Sequence, residues 1–431
     1  MTYSAAIEYL YGLQKHGIKL GLETMRTLLS RLGNPERRFR SLHIGGTNGK
    51  GSTAAMTAAM LQAAGYRVGL YTSPHLVDFR ERIRVDQVMI AESQVAELTL
   101  RLQAVAPPDL TPTFFELTTA MAFLHFAESG VDVAVLEVGL GGRFDATNVV
   151  EPTACAITTI ALDHQEHLGA TEEAIGFEKA GIIKPGVPVV VGRIDGAAWE
   201  VIRKTAADRR APLLRLGCDF HTVGIGPEQF SYRGRTRHLE GLRCVLAGRH
   251  QLDNAACAVA LLEAVEERGI PVSDEAVHQG LQSVQWEGRL EVLERGPVLL
   301  LDGAHNPAAA LVLADYLAAW RAARPEARVI LVVGMMRDKE HGRFVEPLGR
   351  LVSEVVLTQA DMARSMPVQE LQGAIGSRFP LCHVAPGAAD ALALAKARAT
   401  AQDLICVTGS LMLVGEVKAL VRGCGLSPLR G

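Results

Sequence analysis

At 431 residues the chain has room for about two or three domains, each with its own core, so folding calls for no disulfide or metal staple. A formal net charge of −3 without a long run of Lys or Arg excludes the electrostatic footprint of a nucleic-acid binder, and no stretch of about 18 apolar residues offers a membrane span. What remains is a globular protein with small-molecule partners, whose 48% hydrophobic and 21% charged residues and 42 glycines suit an α/β architecture with tight glycine turns.

In chain order, Met1–Leu10 carries Glu8 and no basic segment leading into an apolar run, so the expected location is the cytoplasm. Apolar runs then alternate with amphipathic, alanine-rich segments: RSLHIGG, TAAMTAAMLQAAG, YRVGLYT, VDVAVLEVG, TACAITTI and VPVVVG. Strand–helix alternation of this kind predicts a mostly parallel sheet covered on both faces, with ligands at the carboxyl ends of its strands. From Cys218 to Ala247 the pattern shifts to short alternating stretches, read as a small antiparallel sheet beside the main one. Helices over Gln251–Arg268 and Ser273–Ser283 follow. A new strand–helix series begins near VLLLDGAHNP, with strands over Ala327–Gly334, Val352–Leu357, Leu381–Val384 and Asp403–Thr408. The boundary falls near Glu291–Gly296. The expectation is a large N-terminal P-loop ATPase-like domain over 1–292, a smaller Rossmann-like α/β domain over 296–431, and a cleft between them. Seven cysteines, odd in number and never in a CxxC pair, are read as small buried hydrophobes.

Strand Arg40–Gly45 runs into Gly46-Thr-Asn-Gly-Lys-Gly-Ser-Thr53 and directly into a helix, the context a nucleotide-phosphate loop requires. Glycines let backbone N–H groups converge on phosphates, the helix N-terminus adds positive potential, and Lys50 neutralises β/γ charge. The plain alternative is a glycine turn capping a helix; strand, loop, lysine and helix together favour phosphate binding. The glycine spacing is shorter than usual and Gly51 follows Lys50, so Ser52 and Thr53 come one step late and it stays open which hydroxyl meets a metal. Strand Val131–Val138 ends in Glu137, and strand Thr153–Ile160 leads to Asp163-His164. A carboxylate and an imidazole at neighbouring strand ends would face a γ-phosphate with Mg²⁺, although His164 serves equally as a hydrogen-bonded histidine. Between them the glycine-rich loop 139–148 carries Arg143, Asp145 and Asn148, which either close on a substrate or make a long turn. Lys179 reads as a solvated lysine near a helix end.

These residues together resemble the bacterial folylpolyglutamate synthase / dihydrofolate synthase family, a branch of the Mur-type amide ligases. The resemblance runs nearly end to end, through GTNGKGS at Gly46–Ser52, Tyr71-Thr-Ser-Pro-His-Leu76, Glu81-Arg-Ile83, Thr113-Phe-Phe-Glu116, Glu137-Val-Gly-Leu-Gly-Gly-Arg143, Asp145-Ala-Thr-Asn148, Asp163-His164, Glu178-Lys-Ala-Gly181, Gly248-Arg-His-Gln251 with Asn254, Trp286-Glu-Gly-Arg289, Asp302-Gly-Ala-His-Asn-Pro307 and Thr408-Gly-Ser410. It implies that Gly49, Lys50, Gly51 and Ser52 hold ATP phosphates; that Asn254, Arg289 and Asp302 contact ATP; and that Ser73, Glu137 and His164 are magnesium ligands. It further implies that Lys179 is N6-carboxylated and binds a second magnesium. Gly21, Leu22, Thr113, Phe115, Asp145 and Ala146 fall where a pterin–benzoate substrate sits, with Arg143 on the loop beside it. His305 and Ser410 match residues associated with the incoming glutamate or the reaction centre, so Lys50, Lys179 and His305 are the catalytic candidates. The implied activity is ATP-dependent addition of L-glutamate to 7,8-dihydropteroate or a reduced folate through an acyl phosphate, by a monomer. Two rivals are a peptidoglycan-precursor ligase, which carries a whole domain ahead of its phosphate loop where this chain has about 45 residues, and a P-loop kinase or nucleotide switch.

Overall fold

The computed structural model describes all residues except 18, 20, 107–110, 225, 227 and 428–431. The chain forms two compact units, one of Met1–His75 with Arg80–Trp286, the other of Leu76–Phe79 with Glu287–Gly431. The division thus falls at Trp286/Glu287, and the second unit takes in a short segment from far upstream.

The first unit is built on strands β1 (Arg40–Gly45), β2 (Val68–Tyr71), β3 (Ile83–Val85), β4 (Val88–Met89), β5 (Val133–Glu137), β6 (Ala154–Ile157), β7 (Val189–Val191) and β8 (Leu213–Arg215), in the order β4-β3-β2-β5-β1-β6-β7-β8. The pairings from β2 to β8 are parallel and those of β3 antiparallel. Helices cover both faces, which is why β7, and β5 up to its terminal Glu137, are apolar and buried rather than alternating. A separate antiparallel sheet of β9 (His221–Gly224), β10 (Gln229–Arg233) and β11 (His238–Arg243) alternates exposed and buried positions along β10, as the Cys218–Ala247 pattern predicts. Helix Lys50–Ala63, which leaves β1, is buried along almost its whole length. Helix Asp274–Ser283 crosses it so closely that a Cβ on Gly280 would lie 2.5 Å from the Met60 Cα.

The second unit has β12 (Glu291–Arg295), β13 (Val298–Leu301), β14 (Val329–Val333), β15 (Glu354–Leu357), β16 (Cys382–Val384) and β17 (Leu404–Thr408), in the order β12-β13-β17-β14-β15-β16. All pairs are parallel except the edge strand β12.

Two expectations need correction. The strand read over Thr153–Ile160 stops at Ile157, because the hydroxyls of Thr158 and Thr159 and the carbonyl of Thr159 turn to the phosphate loop instead of a neighbouring strand. Cys155, Cys244, Cys257 and Cys406 are buried, but Cys218 and Cys424 are exposed, so the cysteines are not uniformly core residues.

Candidate active site

β1 delivers the chain into the loop at Gly46–Gly49. Gly46 and Gly49 have φ of 137° and 86°, a region that side chains with a Cβ rarely enter. Space adds a second reason for glycine: a Cβ on Gly49 would collide with the Asn254 amide, and one on Gly51 would lie 2.6 Å from the Trp286 ring. The loop is held from two sides. The Asn48 N–H donates to Thr159 Oγ1 at 3.0 Å, Thr158 Oγ1 donates to the Asn48 carbonyl at 2.6 Å, and the Ala161 N–H donates to Thr47 Oγ1 at 3.1 Å. From helix His250–Glu266, Asn254 donates to Gln251 Oε1 (2.9 Å) and Gln251 donates to Ser52 Oγ (3.3 Å). Sequence reasoning assigned no role to Thr158, Thr159 or Gln251; a hydroxyl pair closing an apolar strand was the available signal.

Lys50 and Lys179 donate to the same carbonyl, that of Gly46, at 3.0 and 2.9 Å; Lys50 also reaches the Thr47 carbonyl at 3.0 Å. Lys179 is only 4% exposed, which corrects its reading as a solvated lysine. Burial, and then the Lys50 charge, pull its amine down to about 7 against the opposing pull of Asp163 and Asp145. The helical pattern held the clue, since Lys179 follows Ile175 by four residues and Gly176 by three on the buried face of helix Glu172–Ala180.

Glu137 ends β5, 5% exposed, and accepts from the Ser73 N–H at 3.0 Å, so β5 and β2 bring those two candidate ligands together. Asp163 lies on the other side of β1, following β6; it accepts from the His164 N–H at 3.0 Å, and the His164 ring is 4.0 Å away. His164 sits at φ 49°, an uncommon conformation for a non-glycine residue. Among the described residues no cluster of three His, Cys, Asp or Glu side chains could by itself hold a metal ion. The donor set fits magnesium that arrives on a nucleotide, because such an ion takes one or two carboxylates and completes its shell with phosphate oxygens and water.

Arg143 pairs with Glu178 at 2.7 Å, stacks on Phe144 and Phe177, and receives the Asn148 amide on its carbonyl. Asp145 accepts from the N–H groups of Leu140 (2.8 Å) and Thr147 (3.0 Å) and from the Thr147 hydroxyl. Both therefore fasten the glycine-rich loop, and Ala146 follows in the same turn, 6% exposed. Thr113 caps helix Phe114–Glu128 in a reciprocal bond pair with Glu116. Phe115 is half-buried beside Tyr71, ring centroids 6.0 Å apart. Gly21 and Leu22, also half-buried, precede helix Glu23–Arg31.

In the second unit Asp302 and His305 follow β13, and Ser410 follows its parallel neighbour β17. Asp302 accepts from the N–H groups of Leu290 (2.9 Å) and Ala304 (3.0 Å), and burial raises its pKa against the nearby Arg289. His305 Nδ1 donates to the Gly303 carbonyl at 2.8 Å, which fixes the tautomer. Ser410 caps helix Leu411–Arg422 through the Met412 N–H.

Residues 44–262 match the family described as Mur ligase middle domain, and residues 288–411 that described as Mur ligase, glutamate ligase domain. The chain is 36% identical over 428 residues to the "Dihydrofolate synthase/folylpolyglutamate synthase" of Bacillus subtilis, covering 97% of this chain and 98% of that one. Its structure is similar to that of E. coli FolC in complex with DHPP and ADP (TM-score 0.90, 32% identity, 98% of each chain). A Yersinia pestis bifunctional folylpolyglutamate synthase/dihydrofolate synthase complexed with AMPPNP and Mn ion superposes similarly (TM-score 0.88, 34% identity, 98% of each chain).

Proposed function

The chain belongs to the dihydrofolate synthase/folylpolyglutamate synthase family of Mur-type ligases, and on that premise we propose how its residues divide the work. The protein is an ATP-dependent ligase that joins glutamate to dihydropteroate and to reduced folates. The observation that carries the assignment of its residues is the phosphate loop, with Lys50 following β1 and flanked by Glu137 on β5 and Asp163-His164 after β6.

The reaction needs an electrophile, and a carboxylate is a poor one. One carboxylate oxygen attacks the γ-phosphorus of ATP and ADP leaves, giving an acyl phosphate; the amine of glutamate then attacks the acyl carbon and inorganic phosphate departs. The loop N–H groups from Gly49 to Ser52 and the Lys50 ammonium hold the β- and γ-phosphates and offset the charge that gathers as the γ-phosphoryl group transfers. Ser73, Glu137 and His164 would hold magnesium, which when bound screens phosphate charge and orients the γ-phosphoryl group. Asn254, Arg289 and Asp302 contact the nucleotide. Gly21, Leu22, Thr113, Phe115 and Ala146 contact the pterin acid, and Arg143 and Asp145 shape the loop behind it. His305 and Ser410 of the second unit receive glutamate.

Two ammonium groups on one carbonyl repel, and the amine of Lys179 near 7 has an unprotonated fraction at neutral pH that reacts with CO₂. A carbamate there is an anion beside Lys50, and it would serve a second magnesium. The reading takes the protein as a cytoplasmic monomer without nucleic-acid or membrane partners; among the described residues no helix is long and apolar enough to cross a membrane. Purified protein should sustain ADP release over many turnovers only when a pterin acid (dihydropteroate or tetrahydrofolate) and glutamate are both present. Release that ignores either would overturn the assignment.

A further inference from the structure

Arg82 is an arginine 7% exposed with no carboxylate at ion-pair distance among the described residues. Buried charges are normally paired, because withdrawing a guanidinium from water costs several kcal/mol unless an anion or a full set of acceptors replaces the solvent. The intramolecular contacts of its side chain are few. Its Nε–H donates to His75 Nδ1 at 2.8 Å, and its guanidinium lies over the Phe114 ring, 5.3 Å from the centroid. These contacts orient the fork without neutralising it. The acceptor role of His75 Nδ1 leaves its Nε2 facing the Tyr11 hydroxyl at 3.3 Å, and Tyr11 stacks on Phe114 at 5.1 Å, so histidine and two aromatic rings set the plane of the guanidinium. No acid among the described residues is spent on it.

Its place in the sheet says which anion fits. Arg82 directly precedes β3, which runs antiparallel to β2, so it stands at the carboxyl end of β2; its carbonyl accepts from the Thr72 N–H at 3.0 Å, next to Ser73. Along the sheet edge the order is Lys50 after β1, Glu137 on β5, Ser73 after β2, then Arg82 before β3. Three strand spacings of about 4.8 Å put Arg82 about 14 Å to the side of the phosphate loop, beyond the proposed metal ligands. Lys50 and Arg82 therefore flank Glu137 and Ser73, one on the nucleotide side and one on the side of the aromatic residues Tyr71, Phe114 and Phe115. On the ligase reading, the aromatic side is where the pterin acid approaches the γ-phosphorus, since Phe115 is among the residues assigned to it.

We propose that Arg82 is the anchor for a carboxylate of the pterin–benzoate acid, holding it by its terminal N–H groups on the flank of Ser73 opposite the nucleotide. The inference rests on the ligase reading and adds to it the residue that recognises the acid as an anion. A planar fork held at Nε by His75 and from one face by Phe114 is preset for a carboxylate, as a lysine's single ammonium is not.

The test is binding of dihydropteroate and of its methyl ester to the full-length protein with MgADP present. The wild type should prefer the acid. In Arg82→Gln, with folding checked by its thermal melt, that preference should fall by about tenfold or more, the size of a lost charge-assisted bond pair, while the KM for ATP stays unchanged. If Arg82→Gln does not fold, Arg82→Lys is read instead: it keeps the charge and loses the fork, and the preference should drop several-fold. An acid-over-ester preference equal to wild type in the folded variant overturns the proposal. So does a raised KM for ATP with that preference intact, which would assign Arg82 to a nucleotide phosphate. A wild type that binds neither compound contradicts the ligase reading itself, and so separates the two failures.

Discussion

Two lysines share the Gly46 carbonyl, and each makes a distinct prediction. Lys50→Ala removes the cation that faces the transferring phosphoryl group, so kcat should fall by about 10²–10³-fold while the thermal midpoint changes little. Turnover near wild type would remove Lys50 from the mechanism. Lys179 should give a carbamate resonance after exposure to ¹³C-labelled bicarbonate, absent in Lys179→Met, and CO₂-depleted protein should recover activity on adding bicarbonate. An unlabelled Lys179 with full activity contradicts the second-metal reading. His43 shows a pH effect of defined sign. Its Nε2–H donates to the Thr147 hydroxyl at 2.7 Å, since that hydroxyl itself donates to Asp145, and its Nδ1 is buried without a partner. Burial, then the Lys184 charge, hold the ring down to about 3 against 6.5 for the unfolded chain. Above 6.5 both states are neutral and nothing changes. Between 6.5 and about 3 only the unfolded state takes the proton, so stability falls as pH falls, by up to about 1.4 kcal/mol per pH unit. Denaturant titrations at pH 7 and pH 5 should show a smaller loss in His43→Gln than in wild type; equal losses refute the assignment.

At the scale of elements, two glycines separate loop function from packing. Ala at position 49 must take φ near 86° and push against Asn254, so the phosphate loop should distort and the affinity for ADP fall by about tenfold or more, measured by calorimetry. Ala at 280 presses on the Met60 backbone, where helix Asp274–Ser283 meets helix Lys50–Ala63. It should cost about 1–3 kcal/mol by overpacking, with ADP affinity retained in the folded protein. The strands and the loop were legible because period, glycine placement and Lys50 all pointed to one strand–loop–helix. Other features depend on contacts across the chain that no local pattern encodes. Thr158 and Thr159 read as strand residues until their hydroxyls meet the loop. Arg143 and Asp145 also fasten their own loop, Arg143 through Glu178 and Asp145 through backbone N–H groups, which no local pattern announces. Lys179 was hidden by its charge, which outweighed the helical spacing that buries it.

For the whole molecule, two units with mostly parallel sheets place their candidate residues at strand carboxyl ends: Lys50, Glu137 and Ser73 in the first, Asp302, His305 and Ser410 in the second. Alternating strands and helices made that much readable from the sequence, including the late strands over 327–408. The extent of the second unit was not readable, since it includes Leu76–Phe79, which no local signal ties to a region more than two hundred residues downstream. The central claim is that the organic acid itself receives the γ-phosphoryl group. It is tested most directly by running one turnover with dihydropteroate labelled with ¹⁸O in its carboxylate and analysing the inorganic phosphate by mass spectrometry. Transfer through an acyl phosphate predicts one ¹⁸O in each phosphate released; phosphate that carries oxygen only from ATP and water would contradict it.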